Sequence, residues 1–531
     1  MTLLAEAVVA LQQTAASLEN WQVVAVALLG FLTYSVYRYH VTKINLPSVG
    51  IPKGLFGPWK AALASVTQSE YFLQEGYRKY GKHGKSFKIA TPARYVIVLS
   101  DPKMIKELAT TDDRIMSFAA TGVERISMAY TFSAEMVKLD YHTALIQKNL
   151  TNRLSSILPE IVSELVLSFE ENTNIGPEWT SVDNFKVMLN VISRTTNRLF
   201  VGLPICRNKD YLDHCVEFAT SASRAGAMID MFPAILKPIV AHFVINRDKA
   251  VNKVVAVVGP VFEERRRKLR ELGDEWTDKP NDAIQWISEV APPNSTVEEM
   301  CLRILVLNFV AIHTTSFSLL HLMHDLGAAP HHQEPLREEI ESVIAEFGGL
   351  TKQALTKMKK LDSCLRESQR LNGLALMTVI RKAMVPHTFS DGTFVPKGTW
   401  VSAPATGVHQ DEDVYENAGE YDGFRFSRIR EQPGEEAKHQ MVSVSSEYLA
   451  FGNGKHACPG RFFAANELKL LMAYIILNYE FKTEVDGQRP QNKYFAHSRV
   501  PDTSAKIMYR ERKGRKESVA NSLIVVEQDR R

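Results

Sequence analysis

Apolar residues run almost without a break through VEEMCLRILVLNFVAIHTTSFSLLHLMHDL, residues 297 to 326, with no Gly or Pro and with acids at the start. That pattern predicts one continuous helix. At about 1.5 Å per residue it is roughly 45 Å long, enough to cross a whole domain through its core. Asn308, His313 and His321 make it too polar for a membrane span. Two amphipathic helices follow: EPLREEIESVIAEFG, closed by Gly348 and Gly349, and LTKQALTKMKKLDSCLRESQRL. Earlier, YGKHGKSFKIATPARYVIVLSDP (80 to 102) sets two β-rich runs on either side of Thr91-Pro92 and predicts a hairpin. Later β-like runs, TVIRKAM and TWVSAPATG, flank DGTFVPKG, and a turn-rich stretch from 407 to 448 leads to FGNGKHACPG, residues 451 to 460. PGRFFAANELKLLMAYIILNY then continues as a helix with Pro459 at its first position.

One run departs from this globular pattern. WQVVAVALLGFLTYSVY, residues 21 to 37, carries no charge and is just long enough to span a bilayer, which needs at least about 17 apolar residues. Trp21 at one end and Tyr34, Tyr37 and Tyr39 at the other suit the two interfaces. Arg38 and Lys43 follow it while Glu6 and Glu19 precede it, so the positive-inside rule puts the chain beyond residue 38 in the cytosol. A cleaved signal peptide fits less well, since the basic n-region is missing and the apolar stretch starts late. The organisation expected is a luminal tail (1–20), a transmembrane anchor (21–37), a stiff proline-containing linker (38–58), a catalytic domain (59–510) and a charged tail (511–531).

With 531 residues, 45% hydrophobic and 23% charged, the chain is of ordinary globular composition. A formal net charge of +3 gives no reason to expect nucleic acid as a partner. Five scattered cysteines, Cys206, Cys215, Cys301, Cys364 and Cys458, argue against a disulfide framework and for a reducing compartment. No repeat or low-complexity tract is present. The histidines His321, His324, His331 and His332 have no acid or cysteine partner at a convincing zinc-site spacing.

The loop around Cys458 is where the chemistry concentrates. It is no phosphate cradle, because its glycine spacing matches no nucleotide motif, and no zinc knuckle, because a partner CxxC is missing. A nucleophile site stays open. At the edge of a helix N-terminus, free N–H groups and the helix dipole favour a negative sulfur. Gly452, Gly454 and Gly460 let the backbone turn sharply and approach a large partner closely. A thiolate so presented suits a metal that wants one soft ligand.

Phe451, Gly454, His456, Cys458, Gly460 and Arg461 fill the pattern FxxGxHxCxGR, and in this the chain resembles the cytochrome P450 monooxygenases. The resemblance implies that Cys458 is the axial thiolate of haem iron, with Phe451 beside the sulfur, His456 reaching a haem propionate and the three glycines making room for the porphyrin. It implies that Glu367 and Arg370 of RESQR join Arg425 of YDGFRF in a buried triad, and that Arg381 makes a second propionate contact. On the long helix, VAIHTTS matches the family's oxygen-side motif at Ala311 and Thr314, with His313 replacing the usual acid. That replacement resembles fungal members of ent-kaurene-oxidase type, which oxidise terpenoids and other secondary metabolites; histidine can shuttle protons near neutral pH. The family's WxxxR helix has no match in YHTALIQKN, where Tyr141, His142 or Lys148 could stand in.

The fold implied is mainly α with small β-sheets, carrying an N-terminal transmembrane helix. The cofactor implied is haem b, iron protoporphyrin IX. The reaction expected is insertion of one atom of dioxygen into an unactivated C–H bond of an apolar small molecule, with electrons passed from NADPH by NADPH-cytochrome P450 reductase. The expected place is the endoplasmic reticulum membrane, single-pass, with the catalytic domain in the cytosol. By the same resemblance the pocket is lined by residues near Phe118, Phe309, Leu374, Leu376 and Val379 and by the segment 495 to 500. Two rivals make different predictions: a haem-thiolate isomerase or dehydratase needing no reductase, and a membrane haem-binding protein without turnover. Sequons at Asn149 and Asn294 lie on the cytosolic side of this arrangement and should carry no glycan.

Overall fold

In a computed structural model that describes residues 20–139 and 141–513, the chain opens with helix α1 (Asn20–Val41). This helix covers the uncharged run and continues to Val41. Tyr34 and Tyr37 are exposed, but Tyr39 is buried against Tyr95 with ring centroids 5.1 Å apart, so that ring belongs to the domain. The proline-containing stretch, expected to be a stiff linker, lies along a strand edge. Lys88 N–H donates to Pro47 O (2.8 Å) and Val49 N–H to Lys88 O (3.1 Å), which stitches the stretch to a strand edge. Residues 1–19 and 514–531, which hold the expected luminal tail and most of the charged tail, lie outside the described residues.

Helix α2 (Gly57–Lys79) leads to the predicted hairpin, strands β1 (Phe87–Ala90) and β2 (Tyr95–Val98), antiparallel about Thr91-Pro92. With β3 (Met116–Ser117), β4 (Thr378–Ala383) and β5 (Trp400–Ala403) they form a five-stranded sheet in the order β1-β2-β5-β4-β3. The pairing of β2 with β5 is parallel and brings the two distant halves of the chain together. The other sheets are small, with two or three strands each.

The remainder is helical: α3 (Phe118–Arg125), α4 (Tyr141–Asn172), α5 (Asn184–Phe200), α6 (Lys209–Asp230), α7 (Lys237–Val244), α8 (Arg247–Leu272) and the predicted long helix α9 (Val297–Ala328). Helix α9 starts on a capping box: Thr296 Oγ1 accepts Glu299 N–H (3.1 Å) and the Glu299 carboxylate accepts Thr296 N–H (3.0 Å). Packed by α5, α6 and α8, it buries Ile304, Leu305, Leu319 and Leu322 completely. Among the described residues it is the one helix long and apolar enough to cross a membrane, and it is the core of the domain.

Downstream, the predicted helix over residues 350–371 divides at Met358 (φ −70°, ψ 75°), and α10 (Lys359–Asn372) begins anew. The cause lies outside the segment. The Glu339 carboxylate accepts the N–H groups of Lys360 (2.7 Å) and Leu361 (3.0 Å), satisfying the donors that a fresh helix start exposes. The final helix α11 (Arg461–Asn478) has Gly460 at its N-cap, so it starts two residues after Pro459.

One close approach fixes α3. A Cβ on Gly226 of α6 would lie 2.5 Å from Ile126 O, and Ser127 Oγ donates to Gly226 O at 3.1 Å. Gly226→Ala gains about 1 kcal/mol of helix propensity but must push α3 away. A net loss of about 1–3 kcal/mol is expected, as for an overpacked core. A lowered urea midpoint measures it, and an unchanged or raised midpoint would contradict the contact.

Candidate active site around Cys458

The cysteine loop is a set of short backbone bonds: Gly452 N–H to Leu449 O (2.9 Å), Ala457 N–H to Gly454 O (3.1 Å) and Cys458 N–H to Phe451 O (2.9 Å). Gly452 and Gly454 have φ of +75° and +70°, the left-handed region where glycine is at ease. At Gly454 a Cβ would also sit 2.7 Å from Ala109 O, whereas at Gly460 nothing lies within 4 Å of where a Cβ would be. The loop is thus closed against Ala109 at Gly454 and roomy at Gly460. Burial pushes the Cys458 thiol up, although the N–H groups of Gly460 and Arg461 and the Arg461 charge act the other way. The donors expected of the helix start are present; by themselves they do not outweigh desolvation, and a bound metal ion would deprotonate the thiol outright.

Helix α9 touches α11 and, although it is the core helix, has an open strip. Val310 is 53% exposed, Thr314 is exposed and Ala311 half-buried, in a helix enclosed on its other sides. Thr314 Oγ1 donates to Val310 O (2.7 Å), the back-bond expected of a mid-helix threonine. His313 points elsewhere. Its Nε2 lies 3.0 Å from Thr220 Oγ1 of α6, its ring leans on Phe317 at 5.8 Å, and its Nδ1 is buried without a partner. Burial lowers its pKa, so the imidazole is neutral at physiological pH.

A polar edge forms where α3 meets the loop. His456 stacks on Phe118 (5.0 Å between centroids) and its Nε2 lies 2.8 Å from Asp113 Oδ1. The Arg381 guanidinium is 5.4 Å from the Phe118 ring and 1% exposed. It donates only to the neighbouring Ile380 O (2.9 Å), leaving Nε and Nη2 buried and unpartnered. Burial pushes its pKa down to about 10. Strand β4 shifts register between Thr378 and Arg381, and Val379 there has φ of +53°, rare for a β-branched residue. Such a bulge re-aims the side chains beside it.

The triad residues come together as the resemblance implies. Glu367 is fully buried and accepts from Arg370 Nε and Nη2 (both 2.8 Å), Arg425 Nε (3.0 Å) and Asp422 N–H (3.2 Å). Arg370 also donates to Ala418 O (2.6 Å), and Arg425 to Asn417 O (3.2 Å). A residue unnoticed in the turn-rich stretch completes the frame. His409 donates from Nδ1 to Arg370 O (3.0 Å) and accepts Leu449 N–H at Nε2 (2.8 Å), two residues before Phe451. Burial, helped by the Arg370 charge, pushes His409 down to about 3, which keeps the neutral tautomer that these two bonds require.

Some expectations need correction. Leu376 (0% exposed) and Val379 (5%) turn into core clusters under the sheet, away from the open strip. In a β-like run alternate residues face opposite sides, and the half-buried Ala375 and Thr378 are the more open positions of this segment. Leu374 is half-buried, Phe118 is 43% exposed, and Phe309 packs edge-on against Phe132 at 5.2 Å. Neither Tyr141 nor His142 reaches the polar edge. Arg303 stacks on Tyr141 (3.8 Å) and donates to His142 Nδ1 (3.0 Å), two turns before Ala311 on α9. Lys148 is exposed. His321 lies 3.1 Å from Arg489 Nη2, and among the described residues no group of His, Cys, Asp or Glu is arranged to hold a metal ion.

A half-buried cysteine at a helix start, an orphaned buried guanidinium and an open strip on the core helix all fit one large, flat group that bears carboxylates and takes one sulfur ligand: a haem. That class of protein is also what comparison finds. The family profile described as Cytochrome P450 matches residues 52–505. Cytochrome P450 monooxygenase 71 of Postia placenta is 40% identical over 495 residues, 92% of this chain and 98% of that protein. Cytochrome P450 monooxygenase AN1598 of Emericella nidulans is 33% identical over 498 residues (92% of each), and CYP512U6 of Ganoderma lucidum 33% over 486 (90% and 93%). The chain belongs to the cytochrome P450 monooxygenase family, whose members use haem and a redox partner.

Glu367→Gln leaves two buried arginines without their anion and should cost about 3–5 kcal/mol. A shifted urea midpoint together with poor haem retention is the expected result; wild-type values would show that the triad is not the frame. A pH dependence follows from the histidines. His409 and His497 are both pushed down to about 3 by burial, from an ordinary 6.5. Between those values the unfolded chain binds protons that the folded chain does not, so stability is fully present above the ordinary value and falls as pH drops toward the folded one. Urea midpoints should therefore be lower at about pH 5.5 than at about pH 7.5, and a midpoint that rose on acidification would contradict this.

Proposed function

We propose that the protein hydroxylates an apolar small molecule, a terpenoid intermediate of fungal secondary metabolism, with iron protoporphyrin IX held by Cys458 and electrons from NADPH-cytochrome P450 reductase. The observation that carries the haem-thiolate part is the Cys458 sulfur at the start of α11, met by the N–H groups of Gly460 and Arg461. Bound haem supplies the activation of dioxygen that puts one oxygen atom into a C–H bond and releases the other as water. Arg381 and His456 would hold its carboxylates, and the unpartnered Nε and Nη2 of Arg381 are the donors available for this.

The apolar strip of Phe309, Val310 and Ala311 favours a hydrophobic substrate. The terpenoid assignment is supported by His313 in place of an acid and by the fungal sources of the relatives. Thr314, whose hydroxyl hydrogen is directed to Val310 O, keeps its oxygen lone pairs open to the strip and can accept a hydrogen bond there.

We place the protein in the endoplasmic reticulum membrane with its domain in the cytosol. In support, the uncharged run is followed by Arg38 and Lys43. Arg38 Nη1 donates to Met231 O (3.3 Å), which sets the end of α1 beside the approach to α7. There Ile235 (82%), Ile239 (57%) and Phe243 (82%) are exposed, an apolar surface of the kind that enters a lipid interface.

The reduced protein should give the red-shifted carbon monoxide band of thiolate-ligated haem, and Cys458→Ser should abolish it. Product formation should need NADPH, reductase and dioxygen together; turnover without reductase would favour an isomerase and overturn this reading. Alkaline carbonate washing should leave the protein in microsomes, and release by that wash would remove the anchor.

A further inference from the structure

We infer that the loop at residues 53–56 is a second membrane contact: Leu55 and Phe56 enter the lipid interface, and the lysines around them meet anionic headgroups. This rests on the membrane placement proposed above and adds to it a surface by which the domain itself lies on the bilayer.

The loop is apolar where a surface turn is ordinarily polar. Leu55 is 62% exposed and Phe56 47%, and Leu63 in the first half of α2 is 47% exposed. Phe56 occupies the N-cap of α2 and makes no side-chain cap bond, at a position where Ser, Thr, Asp or Asn would satisfy the first helical N–H groups. The backbone holds the tip closed. Gly54 has φ of +106°, Gly57 N–H donates to Gly54 O (3.0 Å) and Lys60 N–H to Phe56 O (2.9 Å). A Cβ on Gly57 would lie 1.8 Å from Pro52 O, so only glycine allows the turn to close this tightly. Two adjacent apolar side chains are thus presented to the outside by a fixed turn, the kind of patch that marks an interaction site.

The end of α1 sets the place of this tip in the fold. His40 Nε2 lies 2.7 Å from Leu55 O, and two residues earlier Arg38 Nη1 donates to Met231 O. The last turn of α1 therefore touches the loop through one residue and the approach to α7 through another. Leu55 and Phe56 border the same helix end as the exposed Ile235, Ile239 and Phe243, so both apolar surfaces lie where the proposed anchor would leave the bilayer.

Charge selects the partner. From Asn20 to Ser69 the sequence has no Asp or Glu, while it carries Arg38, Lys43, Lys53 and Lys60, and the stretch from Met231 to Arg247 is likewise free of acids. Lys43, Lys53 and Lys60 are exposed. A rim of one sign around an apolar tip matches a lipid surface, whose acyl boundary takes Leu and Phe while its anionic headgroups attract Lys and Arg.

Full-length, haem-loaded protein is reconstituted in vesicles of phosphatidylcholine and phosphatidylserine with an environment-sensitive probe on the thiol of Phe56→Cys. Native thiols do not compete, because Cys206, Cys215, Cys301 and Cys364 are buried and Cys458 is taken by the haem. Brominated acyl chains should quench the probe at 56 and leave a probe on the exposed Val485→Cys bright. Lys53→Gln and Lys60→Gln should each lower the ratio of docked to undocked loop about fivefold, the effect of one lysine at an anionic surface. Leu55→Glu should abolish the quenching and leave haem content and the carbon monoxide band unchanged. The inference is overturned if the probe at 56 stays bright, or if its quenching is the same in vesicles of phosphatidylcholine alone. A bright probe together with a dimer in detergent that Leu55→Glu dissolves would assign the tip to a second copy of the chain instead. Release by alkaline carbonate with the probe at 56 still quenched in intact vesicles would overturn the anchor and support the loop contact, so the two failures are told apart.

Discussion

A carboxylate without access to water, Glu367, is what the cysteine side of the domain depends on. Two guanidiniums and a backbone N–H compensate it, and the same guanidiniums reach on to carbonyls at 417–420. Burying one anion with two cations gives no certain gain in stability, because desolvating three charges offsets most of their attraction. What it does secure is geometry. Each donor is used, so α10 and the turn before Arg425 can meet in one arrangement only. His409 carries that constraint forward from Arg370 O to Leu449 N–H, and from there one short loop reaches Cys458. The position of the sulfur is thus set by a chain of buried polar contacts with no freedom to slide.

The thiol illustrates a balance that the amino-acid pattern alone misjudges. A cysteine at a helix start suggests a stabilised thiolate, and the two N–H groups are there. Burial still wins, and the thiol pKa goes up. The loop is therefore preorganised for a ligand bond without holding a free thiolate in waiting, which suits a site whose charge arrives with the metal.

Elements defined by local pattern were legible: the hairpin about Thr91-Pro92, the core helix, the cysteine loop and the helix behind it. So were residues whose spacing is itself the signal, such as Glu367 and Arg370. What escaped was decided by distant partners. The break at Met358 is made by Glu339 from another helix, and Tyr39 is taken into the domain by Tyr95. The proline-containing stretch became an edge because Lys88 offered it a strand. Leu376 and Val379 lie in a segment whose outward and inward positions are set by a bulge that no periodicity reveals. His409 carries no motif at all and is known only by its two partners.

On a core helix with Leu305 and Leu319 fully buried, Val310 and Thr314 remain accessible. The mid-helix threonine bends its hydroxyl back to a carbonyl of its own helix. His313, one residue away, shows the alternative: it turns to Thr220 and ties α9 to α6. The neighbouring positions are divided between holding the helices together and leaving space between them. That division keeps α9 tied to α6 at His313 while the strip at Val310 and Thr314 stays open.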